Sequence, residues 1–368
     1  MVGIAVVSVL WSAAPAATLL DSVSLVGATL FGCYLAIRFN LGEQLRMLAW
    51  ALSIAALLSL LFGLALPSYG IASDVLTPGD WQGIFGHKNH LGTYMTLGAV
   101  VLLLLIVSER RYRLLRLAIL SLSLVLLVLS DSKTALVILL FLLLLLPLYR
   151  ALREHHTLAV PLVTVVLLGG SMMVLLLLSN AEAVLGAFGR DLSLTGRTQL
   201  WAALSDMIYE RPWLGYGYGG FWLGWEGESA HVWLATDQRF GEISAFGHAH
   251  NGFLQVMVEL GFLGVSVFAL HFLLTLARAA TWIRLSNTAE GFWPAIFMAF
   301  MLLYNLTETA ILEPKNLLWM VYVAVALSMF FRNGSAIKKY HTRNYQPGTK
   351  LSSIRPHERV EGRVQRLR

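Results

Sequence analysis

Charge is what this sequence has least of. Only 13% of its residues are charged, where an ordinary soluble domain carries roughly a quarter. With 57% hydrophobic residues, a water-soluble globule is excluded. The single cysteine, Cys33, excludes a disulfide within the chain and any cysteine-based metal site. No Lys or Arg precedes the first apolar run, which excludes the n-region of a cleaved signal peptide and predicts that residues 2–20 stay as a span. Convincing internal repeats are missing too, which speaks against a symmetric transporter. Neither end carries a soluble domain of ordinary size.

What is present is a series of apolar runs near the ~20 residues that cross a bilayer. They predict an all-α integral membrane protein of about ten transmembrane helices, at 2–20, 22–38, 48–66, 91–108, 117–130, 134–149, 157–179, 250–277, 292–312 and 316–331. Alternating the linkers places 20 Lys or Arg on one side and 7 on the other, so both termini are expected in the cytoplasm. The organisation is then N-terminal helices over 1–179 with an outer loop at 67–90, a large outer loop at 180–249, C-terminal helices over 250–331 and a basic cytoplasmic tail over 332–368. The tail reads as a chain brushing anionic lipid rather than a nucleic-acid binder.

The loop at 180–249 is too rich in Trp and Tyr for a disordered linker, and loops of that length are usually functional. Within it, TGRTQLWAALSDMIYERP has Leu200, Ala203, Leu204, Met207 and Ile208 at helical spacing and ends at Pro212. Thr195 or Thr198 is the expected cap, with Arg197 near the helix N-terminus, where free N–H groups favour anions.

The side chains able to do chemistry gather in the outer loops. His248 and His250 flank Ala249 and precede Asn251 at the start of the eighth span. Histidine is the side chain most easily poised as a base near pH 7, and Asn251 can orient it or a substrate hydroxyl; these residues also suit polar caps of a helix. GIFGHKNH, 83–90, supplies His87, Lys88 and Asn89, with Lys88 suited to a phosphate and Asn89 to sugar hydroxyls. Arg190, Arg197 and Arg211 stand out on a side poor in basic residues, and their guanidinium forks suit a diphosphate. Lys133, at the tip of DSK, is able to reach an anionic headgroup, although a plain polar turn explains it as well. Glu308 is placed inside the ninth span, where an ionisable group is a functional suspect. Nothing has the ligand spacing of a metal site, and no cofactor is expected.

Five segments, in this order, resemble the O-antigen ligase/polymerase family of bacterial membrane glycosyltransferases: WSAAPAATL at 11–19, GIFGHKN at 83–89, TGRTQLW at 195–201, RPWLGYGYG at 211–219 and AHNGFLQVMVELGFLG at 249–264. The HKN form of the second is most similar to the exopolysaccharide polymerase branch. The resemblance implies an enzyme of the bacterial inner membrane that takes a polyprenyl-diphosphate-linked glycan as donor and a saccharide hydroxyl as acceptor. It implies no metal, arginines that hold the diphosphate and a histidine that activates the acceptor. By motif match the histidine is His250 and one arginine is Arg197. The family usually has about twelve spans. Polymerisation of exopolysaccharide or O-antigen repeat units is the expected function, with a chain-length regulator as a candidate partner. Ligation of finished glycan to lipid A core or protein is the alternative, and a transporter of lipid-linked oligosaccharide a lesser one.

Overall fold

The computed structural model describes residues 1–73, 78–154, 169, 197–240, 247–286 and 289–344. The expected span at 157–179, Arg190, Thr195 and the tail beyond 344 lie outside the described residues. Within them the protein is helical, with one isolated antiparallel bridge between Ile71 and Trp81.

Four helices are long and apolar enough to cross a membrane: α2 (Pro15–Arg38), α3 (Leu41–Ala65), α5 (Lys88–Ser108) and α10 (Gly252–Leu285), the last over Gly252–Ile283. Shorter apolar stretches lie in α7 (Lys133–Glu154), α11 (Trp293–Asn305) and α12 (Leu317–Asn344). Their outward faces carry Leu20, Leu30, Ile37, Leu61 and Leu64, all strongly exposed. Water would not tolerate so large a continuous apolar exterior, whereas lipid does. α5 is central: 78% of its most apolar window is buried, against 28% for α2. It packs on α3, on α6 (Arg113–Leu129) and on α7. α2 runs against α12, where Trp319 donates from Nε1 to Thr29 at 3.1 Å.

Two expected boundaries move. The chain begins with a short helix, α1 (Val2–Val7), and a 3-10 turn at Ser8–Leu10, then reverses at residues 11–14. α2 starts with Pro15 in its first turn, the position where proline's missing N–H costs nothing. It then continues through Asp21, so the expected break at 20–22 lies inside a helix, and in place of the two expected spans at 2–20 and 22–38 there is one membrane-length helix preceded by a six-residue one. Asp21 is accommodated because it faces Gly219, in the loop after the helix that begins at Arg197, rather than lipid. The ninth helix is also shorter than expected. α11 stops at Asn305, whose Oδ1 accepts from the backbone N–H groups of Ala310 and Ile311. Glu308 therefore sits in the irregular connection after α11 and not within a span.

The expected amphipathic helix forms as α8 (Arg197–Glu210), with Leu200, Leu204 and Met207 buried. Thr198 falls within it rather than before it. α4 (Pro67–Gly70) and α9 (Ser229–Phe240) are short surface helices.

α10 is broken at Gly261, where φ is 61° and ψ −164°. The loop after α8 enters the break. Phe262 donates its N–H to the Pro212 carbonyl at 2.8 Å, and Leu263 to that of Trp213 at 3.2 Å. In return, the carbonyls of Val258 and Glu259 accept from Tyr216 and Gly217, each at 2.9 Å. Each of these backbone groups loses its helical partner at the break and finds a new one, as non-aqueous surroundings demand. Glycine is required at 261, since a Cβ there would overlap the Trp213 carbonyl. Gly215 likewise has φ of 64° and lies against the Glu259 backbone.

Candidate active site

The starts of α5, α7, α8 and α10 and the connection after α11 meet at one end of the bundle. Glu308 is the centre of what they build, and its side chain is only 5% exposed. Arg197, in the first turn of α8, donates to Glu308 Oε1 at 2.9 Å and to the Thr307 carbonyl at 2.9 Å. Asn89, in the first turn of α5, donates to the same Oε1 at 2.8 Å, and its own Oδ1 accepts from Ser132 at 3.1 Å. His250 Nδ1 lies 3.1 Å from Glu308 Oε2. Residues from three other stretches of chain thus converge on one carboxylate, with Ser132 behind Asn89.

The backbone around the histidines is bent to achieve this. His250 has φ of 47°, an uncommon conformation for a residue with a side chain. Such strain persists only where surrounding contacts over-determine it. Here His248 Nδ1 accepts the His250 N–H at 3.2 Å, and the two rings lie 4.0 Å apart between centroids. Trp201 donates to the Ala249 carbonyl at 2.9 Å, and Gln255 accepts the Ala249 N–H at 2.9 Å.

Charge follows the geometry. Burial alone would raise the Glu308 carboxyl, but the hydrogen bond from His250 and the charges of His250, Arg197 and His248 hold it well below the ordinary carboxylate value. An ionised carboxylate only accepts, so the contact with Glu308 places a ring proton on His250 Nδ1. Burial, helped by His250, pushes His248 down to about 4. Burial also lowers His87, against the pull of Glu308.

Of the candidates read from the sequence, His250, Arg197, Asn89 and Glu308 are in direct contact, with His248 against them. Asn251 is buried and caps α10, accepting from Phe253 and Leu254 and donating to the Leu306 carbonyl at 3.3 Å. His87 caps α5, its Nδ1 accepting from Asn89 N–H at 3.2 Å. Lys88 pairs with Asp80 at 2.7 Å. Arg211 stacks on Tyr216, 4.5 Å from the ring centroid, and lies 3.7 Å from Glu228. Lys133 is exposed at the start of α7. Ser132 was not singled out by the sequence, although it adjoins Lys133 in the same DSK turn. Two buried polar atoms beside Arg197 and Glu308 in the chain, Gln199 Oε1 and Thr309 Oγ1, have no hydrogen-bond partner.

His248, His250 and Glu308 each offer one ligand atom within 4.8 Å of the others, a grouping able to hold a metal ion. The Arg197 guanidinium, 2.9 Å from Glu308 and 3.5 Å from His250 Nδ1, already brings a positive charge to that spot and would repel a dication.

Residues 117–269 match a family described as O-Antigen ligase. The matched stretch covers Arg197, His248 and His250, while Glu308 contacts it from the connection after α11 and Asn89, in α5, bonds to Glu308. The chain is also 35% identical, over 86 residues, to the exopolysaccharide production protein ExoQ of Rhizobium meliloti (strain 1021). That match spans 23% of this chain and 19% of the relative's length. Both findings agree with the family resemblance read from the sequence, and the relative lies on its exopolysaccharide side.

Proposed function

We propose that this chain is a membrane glycosyltransferase that polymerises polyprenyl-diphosphate-linked oligosaccharide units at the outer face of the bacterial inner membrane. The observation that carries the reading is His250 held through Nδ1 by Glu308, with Arg197 beside both, at the end of an apolar bundle. The donor's lipid tail stays in the bilayer, so the reacting sugar is presented at such an end.

In the proposed reaction the acceptor hydroxyl oxygen attacks the anomeric carbon of the donor. Its proton passes to His250 Nε2, a new C–O bond forms, and the anomeric C–O bond to the diphosphate breaks. Glu308 keeps the imidazole in the right tautomer and offsets the charge it gains, the role an acidic partner plays for a catalytic histidine elsewhere. A general base in this position is worth roughly 10²–10⁴-fold. The leaving diphosphate carries its negative charge away and needs a positive field, which Arg197 supplies in part. Gln199 Oε1 and Thr309 Oγ1 are free to bond sugar hydroxyls, since a buried acceptor without a partner is costly until one arrives. Arg197 fills the electrostatic place of a metal, so activity in a chelator is expected to equal activity without one.

The exopolysaccharide relative favours polymerase, and the family's ligase description favours transfer of finished glycan to lipid A core. The purified protein, given lipid-linked repeat units alone, is expected to yield a ladder of polymer and free polyprenyl diphosphate. No ladder, with a single transfer once lipid A core is added, would establish the ligase reading instead.

A further inference from the structure

The far end of the bundle from His250 holds a second feature. There α3, the carboxyl end of α5 and the start of α6 enclose an open groove of about 470 Å³. Its walls are apolar. Trp50, Ile54 and Leu57 line one side, and Leu115 and Ile119 the other, over a floor that includes buried Leu105. Trp50, Ile54, Leu57 and Leu115 remain about half exposed, so the groove opens outward between helices.

Its mouth is basic. Arg46, Arg110, Arg111 and Arg116 line it with one carboxylate, Glu109. Glu109 is bound from both sides, by Arg46 at 2.8 Å and by Arg116. Burial pushes its carboxyl up, and those hydrogen bonds more than reverse the effect. Among the described residues Arg110 and Arg111 have no carboxylate partner, and Arg111 instead rests on the Tyr112 ring, 4.7 Å from its centroid. Four arginines against one glutamate leave net positive charge at the open end of an apolar channel.

The geometry points to a binding site for an anionic phospholipid, its phosphodiester on Arg110 and Arg111 and one acyl chain in the groove. Charge complementarity selects this occupant. A basic pocket between membrane helices attracts anionic headgroups, and a guanidinium pairs with phosphate through two parallel hydrogen bonds. A zwitterionic lipid would fill the apolar channel equally well but gain less at its mouth. The inference needs only membrane embedding and is independent of the enzymatic reading.

Native mass spectrometry of the purified full chain tests it, with phosphatidylglycerol and phosphatidylcholine of identical acyl chains supplied together. The wild type is expected to retain phosphatidylglycerol at least about tenfold over phosphatidylcholine. The double variant Arg110→Gln/Arg111→Gln should lose that preference. Ile54→Trp, which narrows the groove, should reduce retention of both lipids, and Arg113→Gln, outside the groove, should change neither. Equal retention of the two lipids by the wild type would overturn the site. So would an undiminished preference in the double variant, or an equal loss in Arg113→Gln, which would mark a general surface-charge effect.

Discussion

His250 Nδ1 and Glu308 Oε2 lie 3.1 Å apart across 58 residues of sequence, and Glu308 is almost wholly buried. The same carboxylate takes hydrogen bonds from Arg197 and Asn89 through its other oxygen. Its position is therefore fixed from three sides, and it fixes the imidazole in turn.

Glu308→Gln keeps the size of the side chain and removes its charge. Turnover should fall about 10- to 100-fold, as when an orienting partner is lost, with the donor's KM little changed. Steady-state rates with lipid-linked repeat units measure this. A wild-type kcat in that variant would show that His250 does not depend on Glu308.

Arg197→Lys keeps a positive charge and loses the fork that joins the Thr307 carbonyl to Glu308. Activity should drop roughly 10- to 100-fold while membrane insertion stays normal, because misplacement by about 1 Å costs that much. Full polymer output from Arg197→Ala would remove this residue from the site.

Stability should depend on pH through His248. Its folded value of about 4 lies below its ordinary 6.5, so below pH 6.5 the unfolded chain takes up a proton that the folded one refuses. Stability from this group falls as pH drops from 6.5 to about 4. Glu308 acts in the same direction lower down: its contribution is present above about pH 4.5 and is lost as pH falls towards its depressed folded value. Thermal unfolding of His248→Gln in detergent should show a shallower decline between pH 6.5 and 4, with His87, also lowered, keeping part of it. An unchanged slope would contradict the burial of His248.

Sidedness rests on the 20-to-7 division of Lys and Arg. Arg46 and Arg116 meet at one end of the bundle, and Asn89, Arg197 and His250 at the other. Reporter fusions at Gly227 and Lys350 should report opposite sides of the membrane. The same side for both would sink the topology.

Periodicity made α8 legible, because Leu200, Leu204 and Met207 recur on one helical face. His250 and Arg197 stood out as candidates from residue type and from their place in an apolar chain. Glu308 drew notice for a wrong reason: an ionisable group seemed to lie inside a span, whereas Asn305 ends the helix first. Its pairing with His250 is a long-range contact that no local pattern encodes. The same holds for RPWLGYGYG. Its glycines let the loop backbone enter the break at Gly261 and lie against the first turn of the chain, where Trp11 donates to the Leu214 carbonyl at 2.9 Å and Ala13 to that of Tyr216 at 2.8 Å. Asn251 and His87 illustrate the converse, since polar residues at helix starts turned out to be caps.

The account stands or falls on His250 as the base. Single-turnover transfer by purified His250→Ala, with donor binding followed separately, tests it most directly. The account predicts a fall in the transfer rate of roughly 10²-fold or more, donor affinity close to wild type, and a smaller loss in His248→Ala. Transfer by His250→Ala at the wild-type rate would contradict it.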